Sequence, residues 1–243
     1  GVTMPVVRAM EEKGIVKLES MRIYRDPLDL MISRSNQKQE EVKMQTGRDF
    51  FLNEEQQLAV QTILKEWDQK DKSVYLLHGV TGSGKTEVYM ELIDFVRKQG
   101  KQAIFLIPEI ALTYQMVLQF YQRFGSRVSI LHSRMSAGER YDQYEKAKNG
   151  EIDIMIGPRS ALFTPFSNLG IIIIDEEHEE SYKSETVPRY HARETAQRRA
   201  EMEGAKLILG SATPSVESYY RAEKGEYCLL EMKRRANRQK LPY

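Results

Sequence analysis

Val74-Tyr75-Leu76-Leu77-His78-Gly79-Val80-Thr81-Gly82-Ser83-Gly84-Lys85-Thr86 is the stretch that decides the fold. An apolar run passes directly into G-x-x-x-x-G-K-T, and an amphipathic stretch follows. In that stretch, Thr86–Lys98, Val88, Leu92 and Val96 share one helical face and Gly100 closes the helix. Strand, glycine-rich loop and helix in this order form a cradle for a polyphosphate. Glycines let the backbone wrap the anion with its N–H groups, and the helix N-terminus adds its own. Gly79, Thr81, Gly82, Ser83, Gly84, Lys85 and Thr86 are therefore the candidate nucleotide-binding residues. Lys85 is the point charge for the β- and γ-phosphates, and the Thr86 hydroxyl is the first candidate ligand for Mg²⁺.

Further apolar runs stand at 103–107, 128–132, 152–156, 171–174, 206–209 and 227–230, with amphipathic segments between them. One segment opens with the capping box Ser136-Ala137-Gly138-Glu139. Continuous apolar strands alternating with helices predict a parallel sheet covered on both faces, a three-layer α/β domain. Trp67 is expected in its core, on a helix with Val60, Ile63 and Leu64. His132 reads as a packed polar residue at a strand end, and Cys228 as buried and inert.

Ile171-Ile172-Ile173-Ile174 ends in Asp175-Glu176-Glu177-His178. The acids then lie at the C-terminal edge of a central strand, where parallel α/β sheets bind ligands. Asp175 is the second candidate Mg²⁺ ligand. Glu176 is placed to orient and polarise an attacking water. His178 is a candidate sensor linking the phosphate site to moving parts. Lys85, Asp175, Glu176 and His178 form the candidate catalytic set.

Composition bounds the remaining possibilities. Hydrophobic residues at 41% and charged residues at 29% of 243 describe a globular chain able to bury a core. No apolar run approaches the ~20 residues of a membrane helix, so no membrane partner is expected. The N-terminus lacks a secretory pattern. A single cysteine excludes an internal disulfide and a cysteine-based zinc site, in keeping with a reducing, cytoplasmic setting. A net charge of +1 decides nothing about nucleic acid. The basic run Lys233-Arg234-Arg235-Ala236-Asn237-Arg238-Gln239-Lys240 either meets phosphates or stands as a solvated tail.

Residues 1–48 differ in pattern from the rest. A helix over Thr3–Lys13, ended by Gly14, precedes a strand-like alternation over Ile15–Tyr24, as in the back half of a winged helix. Residues 33–48 read as a linker, and 49–243 as the main domain.

Taken together, the loop and the acidic motif resemble the superfamily 2 helicases and translocases. Asp175-Glu176-Glu177-His178 is similar to the DEEH box of their replication-restart branch. Three further stretches match that branch in order: Leu106–Thr113, Gly157–Phe163 and Gly210-Ser211-Ala212-Thr213-Pro214. The resemblance implies a RecA-like P-loop domain, the first lobe of an ATP-dependent 3′-to-5′ DNA helicase of replication restart. It implies ATP and Mg²⁺ as cofactors, with DNA, primosome proteins and single-strand-binding protein as partners. It assigns adenine reading to Gln56, and coupling of hydrolysis to movement to Ser211 and Thr213. It makes Thr113, Arg159 and Ser160 DNA contacts, and their place at strand-to-helix turns suits donors to a DNA backbone. The loop Ser181–Arg193 occupies the position of an aromatic-rich DNA loop in the family. Tyr182 and Tyr190 would stack on bases there, while Lys183, Arg189 and Arg193 would meet phosphates.

The chain departs from the family pattern after Thr213, where no second, arginine-bearing lobe follows. The DNA-end-binding domain and the cysteine-rich zinc module of the family are also missing. The expected behaviour is that of a fragment that binds Mg-nucleotide, contacts DNA weakly and turns ATP over slowly or not at all. Two rivals share the phosphate loop: a small-molecule kinase, and a non-catalytic nucleotide-binding docking module. The acidic motif followed by Gly210-Ser211-Ala212-Thr213 argues against the kinase.

Overall fold

Each apolar run in the main domain forms a strand in the computed structural model, which describes residues 4–17, 52–69 and 73–236. The strands are β1 (Val74–Gly79), β2 (Gln102–Leu106), β3 (Val128–Ile130), β4 (Ile154–Gly157), β5 (Leu169–Ile174), β6 (Lys206–Ser211) and β7 (Cys228–Met232). All pairings are parallel, and the order is β3-β4-β2-β5-β6-β1-β7. The helices are α1 (Met4–Glu12), α2 (Glu54–Lys65), α3 (Lys85–Lys98), α4 (Tyr114–Phe124), α5 (Ala137–Lys148), α6 (Ala192–Glu203) and α7 (Val216–Glu223). Single turns of 3₁₀-helix at Glu109–Ala111, Arg159–Phe163 and Glu180–Tyr182 follow β2, β4 and β5.

Strand periodicity divides the core into two layers. Tyr75, Leu77, Phe105, Ile171 and Ile173 meet the apolar stripes of α2, α3 and α4. Their strand neighbours Leu76, Leu106, Ile172 and Ile174 face the other way, onto Ala147 of α5 and Ala192, Ala196 and Ala200 of α6. Strands apolar on both faces fit only a sheet with helices on both sides. The expected three-layer architecture is present.

Helix starts follow their capping residues. Ser136 accepts from Glu139 N and the Glu139 carboxylate returns to Ser136 N, closing the box read in the sequence. Asn53 and Gln56 form a second box at α2. Helix α3 differs: its N-cap is Gly84 in the left-handed region, with no side chain to satisfy the first-turn amides.

Four expectations need adjustment. Helix α1 lies inside the predicted Thr3–Lys13, with Gly14 at φ +67° beyond it. Ile15, Val16 and Lys17 are exposed and carry no strand, while the rest of the predicted strand and the linker 33–48 lie outside the described residues. Trp67 sits in the turn after α2 rather than on it, yet is buried edge-on against Phe95 with centroids 5.1 Å apart. Cys228 is half-buried rather than buried, because β7 is the sheet edge and pairs only with β1.

Candidate active site and adjoining groove

The sheet order builds the site. β5, β6 and β1 are consecutive neighbours, so their C-terminal ends place the acidic motif, Gly210-Ser211-Ala212-Thr213 and the phosphate loop side by side. Gly82 and Gly84 adopt φ +78° and +83°, which only glycine enters freely. A Cβ at Gly84 would stand 2.0 Å from Gln56 Nε2, and one at Gly79 2.6 Å from Ser83 Oγ. The loop is a tight backbone ring.

Lys85 is buried on the first turn of α3 and donates from Nζ to Gly79 O at 2.9 Å. Glu176 Oε1 lies 3.7 Å from the same ammonium. Glu176 has φ +47°, a left-handed conformation that costs about 1–2 kcal/mol for a residue with a Cβ. Backbone bonds hold the motif on both sides: Asp175 N donates to Leu106 O and Glu177 N to Gly210 O. Strain of this kind persists only where the surroundings over-determine it.

Tyr89, wholly buried on α3, donates its hydroxyl to Asp175 Oδ1 at 2.9 Å. Burial and the neighbouring Glu176 charge raise the Asp175 carboxyl to about 6. His178 shares a 2.8 Å hydrogen bond with Ser211 Oγ through Nδ1 and lies 3.4 Å from Thr213 Oγ1 through Nε2. Its Nδ1 is 3.7 Å from Glu176 Oε2. Ser211 also accepts from Thr213 N. His178, Ser211 and Thr213 thus form one hydrogen-bonded chain ending beside Glu176.

The residues suit a magnesium nucleotide. The first-turn amides of α3 have no side-chain cap, and the buried Ser83 hydroxyl has no hydrogen-bond partner among the described residues. Thr86 and Asp175 supply hard oxygen donors, the kind Mg²⁺ takes one or two at a time beside substrate phosphates. No larger cluster of metal-ligating side chains occurs among the described residues.

Gln56 is buried, and its Nε2 donates to Ser83 O and Gly84 O at 3.1 and 3.2 Å. With Oε1 accepting from Asn53 N at 2.8 Å, both ends of the amide expected to read adenine are engaged within the protein, where they brace the phosphate loop. The end of β7 and the first part of the basic run reach the loop and α2 through their backbone. Val80 N donates to Met232 O, Ala236 N to Gly82 O, and Arg234 N to Glu55 Oε2. Asn237 and the residues after it lie outside the described residues.

The expected DNA contacts divide. Thr113 caps α4, is exposed, and accepts from Met116 N. Arg159 and Ser160 border a cleft with Pro108 and Pro158. Lys183 and Arg189 are exposed, and Tyr190 is half-buried edge-on against Phe163. Arg159 Nη1 donates to Ser181 O and Lys183 O, tying the loop after the acidic motif to the turn after β4.

Two residues depart from that set. Tyr182 is 1% exposed and donates to Asp175 O at 2.6 Å, so its ring supports the acidic motif and cannot stack on a base. Arg193 points inward. Its Nη1 donates to Glu177 Oε2 at 2.9 Å and to the Ser215 and Ser218 hydroxyls, and this half-buried guanidinium is turned away from a phosphate on the surface. Tyr89 and the inward role of Glu177 escaped the sequence reading. Tyr89 looks like any core tyrosine, and Glu177 like one more acid in an exposed run. The one signal for Tyr89 is that Gly210 has no side chain in an otherwise bulky strand.

The sequence model of the family described as type III restriction enzyme, res subunit, matches residues 49–216. The replication restart protein PriA of Bacillus subtilis (strain 168) is 47% identical over 237 residues, 97% of this chain and 28% of that protein. PriA of Chlamydia pneumoniae is 47% identical over 186 residues, 76% of this chain and 25% of that protein. The structure of RecG bound to a three-way DNA junction superposes with a TM-score of 0.58 at 23% identity. That match covers 80% of this chain and 25% of RecG, and it shows the shared RecA-like fold. The chain thus spans about a quarter of the length of these relatives. Because the family match covers well over half of its residues, the chain belongs to the family described as type III restriction enzyme, res subunit, and the relatives it resembles along most of its length are replication restart proteins PriA.

Proposed function

We propose that residues 49–243 are the ATP-binding lobe of an ATP-dependent DNA helicase of replication restart, with 1–48 a partial winged-helix segment and linker. What carries the reading is the meeting of Lys85, Glu176, His178 and Ser211 across three adjacent strand ends. A kinase or a passive docking module has no need of a histidine joining the acid beside the phosphate loop to the end of the next strand.

In this reading the loop amides and Lys85 hold the nucleotide phosphates. Thr86 and Asp175 hold Mg²⁺, which when bound neutralises charge on those phosphates. Glu176 orients the attacking water and accepts its proton. His178 passes the state of Glu176 to Ser211 and Thr213. Thr113, Arg159, Ser160, Lys183, Arg189 and Tyr190 face the DNA strand. Primosome proteins and single-strand-binding protein are the partners implied.

The test is a titration of the chain with ADP and Mg²⁺, run beside ATP turnover with and without forked DNA. Binding that Lys85→Ala abolishes is expected, with turnover negligible in the absence of an arginine supplied by another lobe. Absence of nucleotide binding, or binding indifferent to Lys85, sinks the reading. In a protein carrying both lobes, Glu176→Gln should stop hydrolysis and leave binding intact.

A further inference from the structure

Beside the acidic motif, the turns after β2 and β4 and the start of α5 enclose an open cleft of about 280 Å³. Glu109, Ser133, Arg140, Arg159 and Ser160 border it, and Tyr182 forms part of its wall. Arg140 is the residue that the motifs leave unexplained. Its Nε is shielded from solvent and has no hydrogen-bond partner among the described residues. A shielded guanidinium N–H without an acceptor is costly, and native proteins rarely leave one so. The carboxylate in the cleft does not reach it: Glu109 accepts from Ser133 N at 2.9 Å through Oε1, and Arg140 Nε has no acceptor there among the described residues. Arg140 is held at the cleft by its place on the first turns of α5, which the Ser136–Glu139 box anchors. Tyr144, one turn further along α5, donates to Ser160 O at 3.3 Å and locks that helix to the opposite wall.

We propose that Arg140 is a backbone-phosphate ligand of the DNA strand, sharing this cleft with Arg159. The inference rests on the DNA-binding reading above and deepens it. A guanidinium fork is shaped for two oxygens of a phosphodiester, and a phosphate supplies the acceptor that Nε lacks. Two arginines against one carboxylate leave the cleft with one excess positive charge, enough for one monoanionic phosphodiester. Tyr182 connects the cleft to the chemistry. It is part of the wall, and its hydroxyl donates to the backbone carbonyl of Asp175. A phosphate seated here therefore touches the element that carries the candidate Mg²⁺ ligand.

The experiment measures the affinity of the chain for a labelled oligothymidylate across a salt series, for the parent protein, Arg140→Gln and Arg140→Lys. Losing one phosphate contact should flatten the slope of log K against log salt by about 0.7 in Arg140→Gln. At low salt its Kd should rise roughly fivefold, a typical size for one such contact. ADP binding and the thermal midpoint should stay at parent values, since the phosphate loop is elsewhere. Arg140→Lys should keep the slope and weaken binding about threefold, because the charge remains and the fork is gone. If Arg140→Gln lowers the midpoint, the lysine variant decides: parent-like affinity there overturns the proposal. An unchanged slope and Kd in a folded Arg140→Gln overturns the Arg140 assignment alone. A parent chain that binds ADP but no oligonucleotide overturns the DNA reading, and this inference with it.

Discussion

Gly210 shows how one missing side chain sets the chemistry of another residue. A Cβ there would stand 1.6 Å from the Tyr89 hydroxyl, so the bond from Tyr89 to Asp175 requires glycine in β6. Gly210→Ala should cost about 1–3 kcal/mol through overpacking. Adding Tyr89→Phe should make the pair less than additive, as urea unfolding of both single variants and the double would read. Asp175 itself makes stability depend on pH. Its carboxyl titrates at about 6, held up by burial and by Glu176, whereas an unfolded aspartate titrates near ~3.9. Between those values the folded chain binds a proton that the unfolded chain does not. The stabilising contribution is therefore complete below ~4 and is lost as pH rises through about 6. Asp175→Asn should be more stable than the parent at pH 8, by on the order of 3 kcal/mol, with the gap closing toward pH 4. In the proposed metal site the same proton would compete with Mg²⁺. Mg²⁺-dependent enhancement of nucleotide binding should fall by up to about tenfold per pH unit below 6, and a flat profile would remove Asp175 from the metal site.

At the scale of elements, the most telling contact joins the acidic motif to α6 and α7. Glu177, with no side-chain exposure, takes Arg193 of α6, the amide and hydroxyl of Ser215, and the hydroxyl of Ser218. A carboxylate that anchors the start of α7 also suits the positive end of the helix dipole. Breaking a buried pair strands the remaining charge, so Glu177→Ala and Arg193→Ala should each cost about 3–5 kcal/mol, and the double variant less than their sum. Chemical unfolding measures this. At a temperature where Arg193→Ala remains folded, its oligonucleotide affinity should match the parent, and a loss of salt slope would return Arg193 to the DNA face. The interleaved tyrosines and basic residues of Ser181–Arg193 suggested a single exposed binding loop. Instead the 3₁₀ turn at Glu180–Tyr182 and helix α6 turn two of those residues inward. Loop composition reports which residues suit nucleic acid, but it does not report which way each one faces.

For the whole molecule, the order β5-β6-β1 is the decisive fact, since it converts three separated motifs into one site. Backbone bonds from Met232 and Ala236 close over the loop from the far side of β1. A ligand at that junction binds only the folded chain. ADP with Mg²⁺ at one hundred times its Kd should therefore add about 2.7 kcal/mol to stability, a gain that Lys85→Ala should erase in a thermal-shift series.

Features that depend on neighbours along the chain are legible in the residues alone. Seven apolar runs fixed the strands, G-x-x-x-x-G-K-T fixed the phosphate loop, and Ser136 with Glu139 fixed a helix start, because periodicity and capping act over a few residues. Other contacts appear in no stretch of sequence: Tyr89 meets Asp175 across 86 positions, Ser211 meets His178 across 33, and Arg193 turns inward to Glu177. Those contacts follow from strand order and helix packing, which no local pattern encodes. The same separation explains Gln56, whose amide braces a loop 27 residues away only because α2 packs against α3.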